Sequence, residues 1–337
     1  MALIANLFQK RFYPPAGTAL LAVLMLVSVG GCSDDTIGPD YPVGPDRITL
    51  LGIYDSRNPA WANVIAYEYA DDLWTVAPED WDDTEPVTQR LIDLEGTETD
   101  PCWHPDTADS RLAFVHHQTD IYSIKILDTT DGEISTVYSN VEPIREPQWI
   151  YGDDKIAFIM HESGHYGVQL IDADGGEPTP IQKEKPWYPV VHHYCSQSKP
   201  IVWFVEQTGV ENLFSITLDG GLALVQSSNG NSNNTFGGVA ESADGSRLAI
   251  STLTYNLETD AWASALYQLK THPPSPDWKD AVQLAINMPL SGGNVFLQWV
   301  SPNWSPAGDR IACGVRLDYW QDSQIRSKWD IAVIDLY

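Results

Sequence analysis

The pentapeptide His161-Glu162-Ser163-Gly164-His165 carries the H-E-x-x-H spacing of zinc peptidases, in which two imidazoles hold the metal and the glutamate activates water. That chemistry needs a helix, because only there do residues four apart project from one face. Here the pentapeptide separates two β-prone runs, one ending near Met160 and one beginning near Tyr166, and Ser163-Gly164 reads as the turn between them. A hairpin is predicted, and a hairpin cannot present a zinc pair in this way. Asp172 and Asp174 imitate the first ligands of a calcium loop, yet Glu177 occupies the position where that loop requires glycine. His116-His117 and His192-His193 are adjacent pairs, whose members point to opposite faces of a strand. His192 and His193 fall beside an inner strand and stand as candidate binding residues, with packing or hydrogen bonding as the other use of an imidazole there. No metal site and no cofactor is expected from these residues.

The elements that position these groups follow from an internal repeat. A β-prone triplet recurs as Ile65-Ala66-Tyr67, Leu112-Ala113-Phe114, Ile156-Ala157-Phe158, Ile201-Val202-Trp203, Leu248-Ala249-Ile250 and Ile311-Ala312-Cys313, at intervals of 47, 44, 45, 47 and 63 residues. An interval of 40 to 50 residues is the signature of a propeller or another repeat architecture. Before every triplet comes a turn and, in all copies but the fifth, an aromatic, best seen in Trp304-Ser305-Pro306-Ala307-Gly308-Asp309-Arg310. The seven-residue offset lands on Trp149, Tyr194 and Glu241 in other copies, while Trp61 and Trp103 serve the first two through altered turns. Pro59, Pro101, Pro147 and Pro302 stand two before the tryptophan, where proline starts a strand without removing a needed donor from its middle. After each triplet comes a second extended run, and several close on Asp-Gly turns such as Asp131-Gly132 and Asp174-Gly175. Four short strands per unit make a blade, so six units predict an all-β, six-bladed β-propeller of four-stranded antiparallel blades over residues 47–337.

The pattern P-x-W-S-P-x-G-x-x-I-A, followed by a strand closing on D-x-D-G-G, resembles the repeat of TolB-type propellers across residues 46 to 337. The resemblance implies the architecture and says little about activity, since propellers host many unrelated functions. TolB itself carries an α/β domain ahead of its propeller, and here the chain runs directly into the first blade, so TolB's Pal-binding and translocation role is not carried over. The last copy ends after its third strand, and residues 47–52, RITLLG, have no place in the first blade. They are predicted to complete the sixth blade and cover its edge. No G-x-S-x-G nucleophile elbow occurs, which removes the hydrolase domain of propeller-bearing serine peptidases from consideration.

Residues 12–33 carry no charge, follow Lys10 and Arg11, and contain an apolar run from Ala19 to Val29, the layout of a secretory signal. It ends in Val29-Gly30-Gly31-Cys32, which resembles a bacterial lipobox. That resemblance implies a signal peptide over 1–31, lipidation of Cys32, a flexible Gly-Pro-rich tether over 32–46 and a membrane held through the lipid. Ser33 after the cysteine implies sorting to the outer membrane of a Gram-negative envelope. Loss of residues 1–31 removes two of the 19 basic residues and none of the 46 acidic ones. Nucleic acid is excluded as a partner, because binding it depends on Lys and Arg neutralising phosphates. Cys102, Cys195 and Cys313 then remain, enough for one disulfide at most.

Outside the repeat pattern stand Tyr255, Trp262, Tyr319 and Trp320, in connections of blades five and six (about 253–263 and 315–328) that are longer than their counterparts. Non-repeating loops carry binding, and Tyr and Trp are favoured anchors, so these four join His192 and His193 as candidate binding residues. A module that binds a protein, peptide or glycan is the leading expectation. The alternative is a propeller enzyme, polysaccharide lyase-like or hydrolytic, and a convergent set of His, Arg and carboxylates in one pocket would mark it.

Overall fold

The computed structural model describes residues 48–336 apart from 54, 78–85, 163–164, 182–189, 208–210, 219–220, 228–233, 257–260, 272–280, 288–294 and 322–323. Cys32, the segment 1–31 and the tether 32–46 lie outside the described residues. Among the described residues no helix is long and apolar enough to cross a membrane.

The described residues open with β1 (Ile48–Leu50) and then lay down four-stranded sheets in sequence order. Blade one holds β2 (Arg57–Trp61), β3 (Ile65–Tyr69), β4 (Asp72–Val76) and β5 (Thr88–Arg90). Blade two holds β6 (Thr97–Trp103), β7 (Arg111–Gln118), β8 (Ile121–Asp128) and β9 (Ile134–Asn140). Blade three holds β10 (Ile144–Trp149), β11 (Lys155–Glu162), β12 (His165–Asp172) and β13 (Thr179–Pro180). Blade four holds β14 (Val190–Cys195), β15 (Ile201–Gln207), β16 (Glu211–Thr217) and β17 (Leu222–Ser227). Blade five holds β18 (Asn234–Glu241), β19 (Arg247–Asn256), β20 (Ala261–Lys270) and β21 (Val282–Asn287). Blade six holds β22 (Val295–Trp304), β23 (Arg310–Gln321) and β24 (Gln324–Asp335), and β1 pairs with β24 through Ile48–Ile334, Thr49–Val333 and Leu50–Ala332. All pairings are antiparallel, and the innermost strands touch in blade order with β22 against β2.

The repeated triplets form the second strand of each blade because they must be apolar on both faces: a blade packs against a neighbour on either side. Ile65, Ala66, Tyr67, Leu112, Ala113, Phe114, Ile156, Ala157 and Phe158 are all fully buried. The aromatics before the triplets, such as Trp304 and Trp149, seal the junctions to their neighbours. Trp304 donates its indole N–H to the Ala240 carbonyl at 3.1 Å, and Arg247 of blade five lies over its ring at 4.7 Å. Arg111 of blade two covers Trp149 of blade three at the same distance.

One expectation needs correction. The stretches 253–263 and 315–328 are not chiefly loops: β19 with β20 and β23 with β24 run on as hairpin arms of 10 and 12 residues, against 5 to 8 in blades one to four. The alternating Thr, Tyr, Leu and Trp of these stretches suit a pleated ribbon, and the ladder continues while partners remain. At about 3.3 Å per residue the arms rise roughly 7 to 13 Å beyond the 8-residue arms of blades two and three.

Candidate functional site

The innermost strand of each blade has a bulge: its register slips between Arg57 and Ala60, Thr99 and Cys102, Arg145 and Gln148, Val190 and His192, Phe236 and Gly238, and Val300 and Asn303. Asn58, Asp100, Glu146 and Ser301 occupy the left-handed region there, with φ of 49°, 52°, 53° and 48°. Such residues persist only where the surroundings over-determine them. Blade five uses Gly238 instead, at φ 147°, because an added Cβ would meet Pro302 Cδ at 2.9 Å and Ser301 N at 3.1 Å.

An innermost strand has no neighbour on the channel side, so its outward N–H groups need acceptors from elsewhere. Each junction supplies one, always from the preceding blade. Asp100 N donates to Glu68 Oε1 at 2.7 Å, Glu146 N to Asp100 Oδ2 at 3.1 Å, and His193 N to Glu146 Oε2 at 3.2 Å. Phe236 N donates to Glu211 Oε2, Trp299 N to Ser264 Oγ at 3.0 Å, and Trp61 N to Asn303 Oδ1 at 3.0 Å, which completes the circuit. Side-chain donors reinforce it: Asn58 Nδ2 reaches Glu68 Oε1 at 2.7 Å and Asp100 Oδ1 at 3.2 Å, and Ser301 Oγ reaches Asn58 Oδ1 at 3.0 Å. Arg57 Nε meets Glu68 Oε2 at 2.9 Å, and His192 Nδ1 meets Glu146 Oε1 at 2.8 Å.

Carboxylates, imidazoles and guanidinium groups therefore do converge on one part of the channel wall. Burial, then the charge of Asp100, pushes Glu68 up to about 7. Burial, then the charge of Glu146, pushes Asp100 up to about 6. Burial would raise Glu146 as well, but the charge and hydrogen bond of His192 and the contact with His193 hold it well below the usual carboxylate range. His192 is correspondingly raised: burial acts against its charge, and Glu146 outweighs burial. Yet every oxygen of Glu68, Asp100 and Glu146 already accepts a hydrogen bond from the protein. Perturbed carboxylates of this kind arise in ion-pair networks as well as in active sites, and the saturation of their oxygens assigns these to the seam between blades. Among the described residues no group of three or more His, Cys, Asp or Glu is disposed to hold a metal ion. Between blades one and two a cleft of about 20 Å³, lined in part by Glu68, Glu98 and Thr99, has room for water rather than for a sugar or peptide.

Glu98 is a different case. Its carboxylate is fully buried, neither oxygen meets a donor, and His116 Nε2 stands 3.6 Å from Oε1 while it contacts the Glu95 carbonyl. Burial and then the charge of Asp72 raise it to about 7. A carboxyl raised in the folded state contributes stability that is full below its unfolded value of 4.5 and is lost as pH rises through the folded value. Glu98→Gln, which cannot ionise, is expected to raise stability at pH 8 by about 1–2 kcal/mol, the cost of an unsatisfied buried polar group, and to change little at pH 5. Urea unfolding at the two pH values checks this, and an equal effect at both would contradict it.

The structure separates the other candidates. His161 lies on β11 with Nδ1 at 2.7 Å from Glu142 Oε2, and His165 lies on β12 in register with Glu162, so H-E-x-x-H forms the two arms of a hairpin. His116 is buried, and His117 stacks on Tyr122 at 4.1 Å. His193 is buried, with Nε2 at 3.3 Å from the Ala157 carbonyl, whereas His192 keeps a side chain 34% exposed. Cys102, Cys195 and Cys313 are buried and free. Tyr255 and Trp262 are register partners near the end of the blade-five hairpin, and Tyr319 and Trp320 pair with Arg326 and Ile325 near the end of the blade-six hairpin. The side chains of these four aromatics lie outside the described part of the structure.

No protein-family model matches the chain, and no curated protein matches it in sequence. Solved structures do. TolB from Acinetobacter baumannii aligns with a TM-score of 0.50 at 15% identity, over 82% of this chain and 62% of that one. The fold is a TolB-like six-bladed β-propeller. The chain thus spans about three fifths of that TolB's length. An oligogalacturonate lyase in complex with manganese aligns at TM-score 0.50 and 13% identity, over 86% of this chain and 93% of that one. A chain of the nidogen/laminin complex aligns at TM-score 0.52 and 9% identity, over 81% and 98%. At such identities the likeness is one of fold alone.

Proposed function

We propose that the chain is an envelope binding module: exported by residues 1–31, acylated at Cys32, tethered by residues 32–46, and presenting its propeller to a protein, peptide or glycan. The single observation that carries the binding reading is the pair of hairpins β19–β20 and β23–β24. They outgrow the other hairpins on the face that these turns share, and Tyr255, Trp262, Tyr319 and Trp320 stand near their ends. Large aromatics supply contact area at low entropic cost and dominate binding hot spots. The enzyme alternative draws less support, because the channel carboxylates are occupied in joining blades. The likeness to TolB is consistent with an envelope location, and the lipobox-like Val29-Gly30-Gly31-Cys32 motivates the anchor and the outer-membrane address.

Photo-crosslinking residues placed at Trp262 and at Trp320 in cells test this reading, with Asp131, in the turn between β8 and β9, as the control. The expected result is an adduct of one discrete size from the two hairpin positions and none from the control. Equal capture from Asp131, or none from the hairpins, would overturn the reading. In the same cells, the wild-type chain is expected to sediment with membranes and the Cys32→Ser chain to stay soluble.

A further inference from the structure

Although the oxygens of Glu68, Asp100 and Glu146 are all engaged, two nitrogen atoms beside them are not. His192 gives Nδ1 to Glu146 and leaves Nε2 with no protein partner on its partly exposed side chain. Arg145, on the neighbouring inner strand, donates Nη2 to the Val190 carbonyl at 3.2 Å and lies over the Tyr166 ring at 4.3 Å. Its Nε is buried and has no acceptor. The guanidinium also sits close enough to both Asp100 and His192 to act on them electrostatically, so the two cations share one neighbourhood.

We propose that Arg145 and His192 bind a carboxylate group on the channel wall between blades three and four. A buried N–H without an acceptor is costly, and the cost is removed by a ligand that brings one. The planar fork of a guanidinium matches a carboxylate, and a charged imidazole beside it supplies a second charge-assisted donor. Glu146 cannot fill this role, because its oxygens are turned to His192 Nδ1 and His193 N. The groups that face His192 are Glu146 and Arg145 on β10, Asp100 on β6 and Glu211 on β16. Burial raises both Asp100 and Glu211, while Glu146 favours the charged form of His192. Lower pH therefore adds positive charge and removes negative charge at the same place, and binding tightens as pH falls from 8 to 6.

The test follows the imidazole nitrogen resonances of His192 in the full chain, assigned by their loss in His192→Gln. The probes are D-glucuronate and triglycine, each with a free carboxylate; glucose and triglycine amide are the neutral controls. Saturable shifts at His192 are expected with the carboxylates and not with the controls. The affinity should fall about tenfold in Arg145→Gln, the loss of one charge-assisted pair, and recover in part in Arg145→Lys. Tighter binding of glucuronate points to an acidic sugar, and tighter binding of triglycine to a peptide terminus. The proposal fails if neither carboxylate shifts His192 saturably, if the neutral controls shift it equally, or if Arg145→Gln, folded by circular dichroism, binds as the wild type does.

Discussion

Deleting residues 48–53 will cost about 5 kcal/mol of stability, from two lost apolar side chains and several backbone hydrogen bonds. Leu51 and Ile53 are buried in the cluster that joins blades six and one, with Trp61, Tyr67, Ile331 and Val333. Leu51 N also donates to the Ile331 carbonyl, and Gly52 N and Ile53 N to the two carboxylate oxygens of Asp330. A loss of this size is comparable with the whole net stability of many domains, about 5–15 kcal/mol. The deletion also bares the outer edge of β24, and an uncovered edge pairs with other chains. Urea unfolding combined with gel filtration should show a lowered midpoint and concentration-dependent association. A midpoint within error of the wild type would mean that β1 does not close the ring. Leu51→Ala, which only hollows the same cluster, should cost about 3 kcal/mol without association.

Glu146→Ala is expected to cost about 3 kcal/mol near pH 6, since it leaves the His193 N–H and His192, whose charged form Glu146 favours, without their partner. The cost should depend on pH in a defined direction. Glu146 is depressed in the folded chain, so its contribution is full above its unfolded value of 4.5 and is lost as pH falls through the folded value. His192 is raised, so its share is full below 6.5 and is lost as pH rises through its folded value. The difference between wild type and Glu146→Ala is therefore greatest from about pH 5 to 6.5, declines in acid, and declines part-way in alkali, where the bond to His193 N survives.

Much of this was legible in the residues. The triplets spaced by 44 to 63 positions all lie on second strands, buried but for the partly exposed Ile201, and aromatics before them such as Trp304 and Trp149 seal the blades together. H-E-x-x-H was readable as a hairpin because Ser163-Gly164 interrupts two β-prone runs. The seam leaves only part of its signal in the sequence. Three residues before each aromatic, or before Glu241 in the fifth copy, stand Asn58, Asp100, Glu146, Val191, Gly238 and Ser301, five of them polar or glycine in an otherwise apolar repeat. Their meaning depends on a bulge, which is a property of strand pairing and leaves no local pattern of its own. Glu68, Glu98 and Glu211 were beyond reach for a related reason: the backbone N–H groups that Glu68 and Glu211 accept from lie in neighbouring blades 32 and 25 positions away, and the Glu98 oxygens meet no donor. The long hairpins of blades five and six were visible only as extra length, because an alternating ribbon and an aromatic-rich loop have similar composition.

The ring and the candidate surfaces are linked through this seam. Carboxylates that fix the inner strands hold the bulges in their left-handed conformations, and the bulges place His192 on the channel wall beside Arg145. The same closure fixes the bases of the blade-five and blade-six hairpins against one another, since β18 and β19 both touch β22. A rigid base is what a binding surface on projecting arms requires, because ordering it on contact would subtract from affinity.

The measurement that decides most directly whether the channel carboxylates are joints or reagents is the unfolding free energy of wild type and Glu146→Ala in urea across pH 4 to 9. A joint gives a wild type more stable by about 3 kcal/mol between pH 5 and 6.5, with the difference shrinking toward both ends. A carboxylate held in place for chemistry gives the opposite, because removing a strained functional group leaves stability unchanged or raises it. An alanine variant as stable as the wild type throughout that range would return the channel to the enzyme reading.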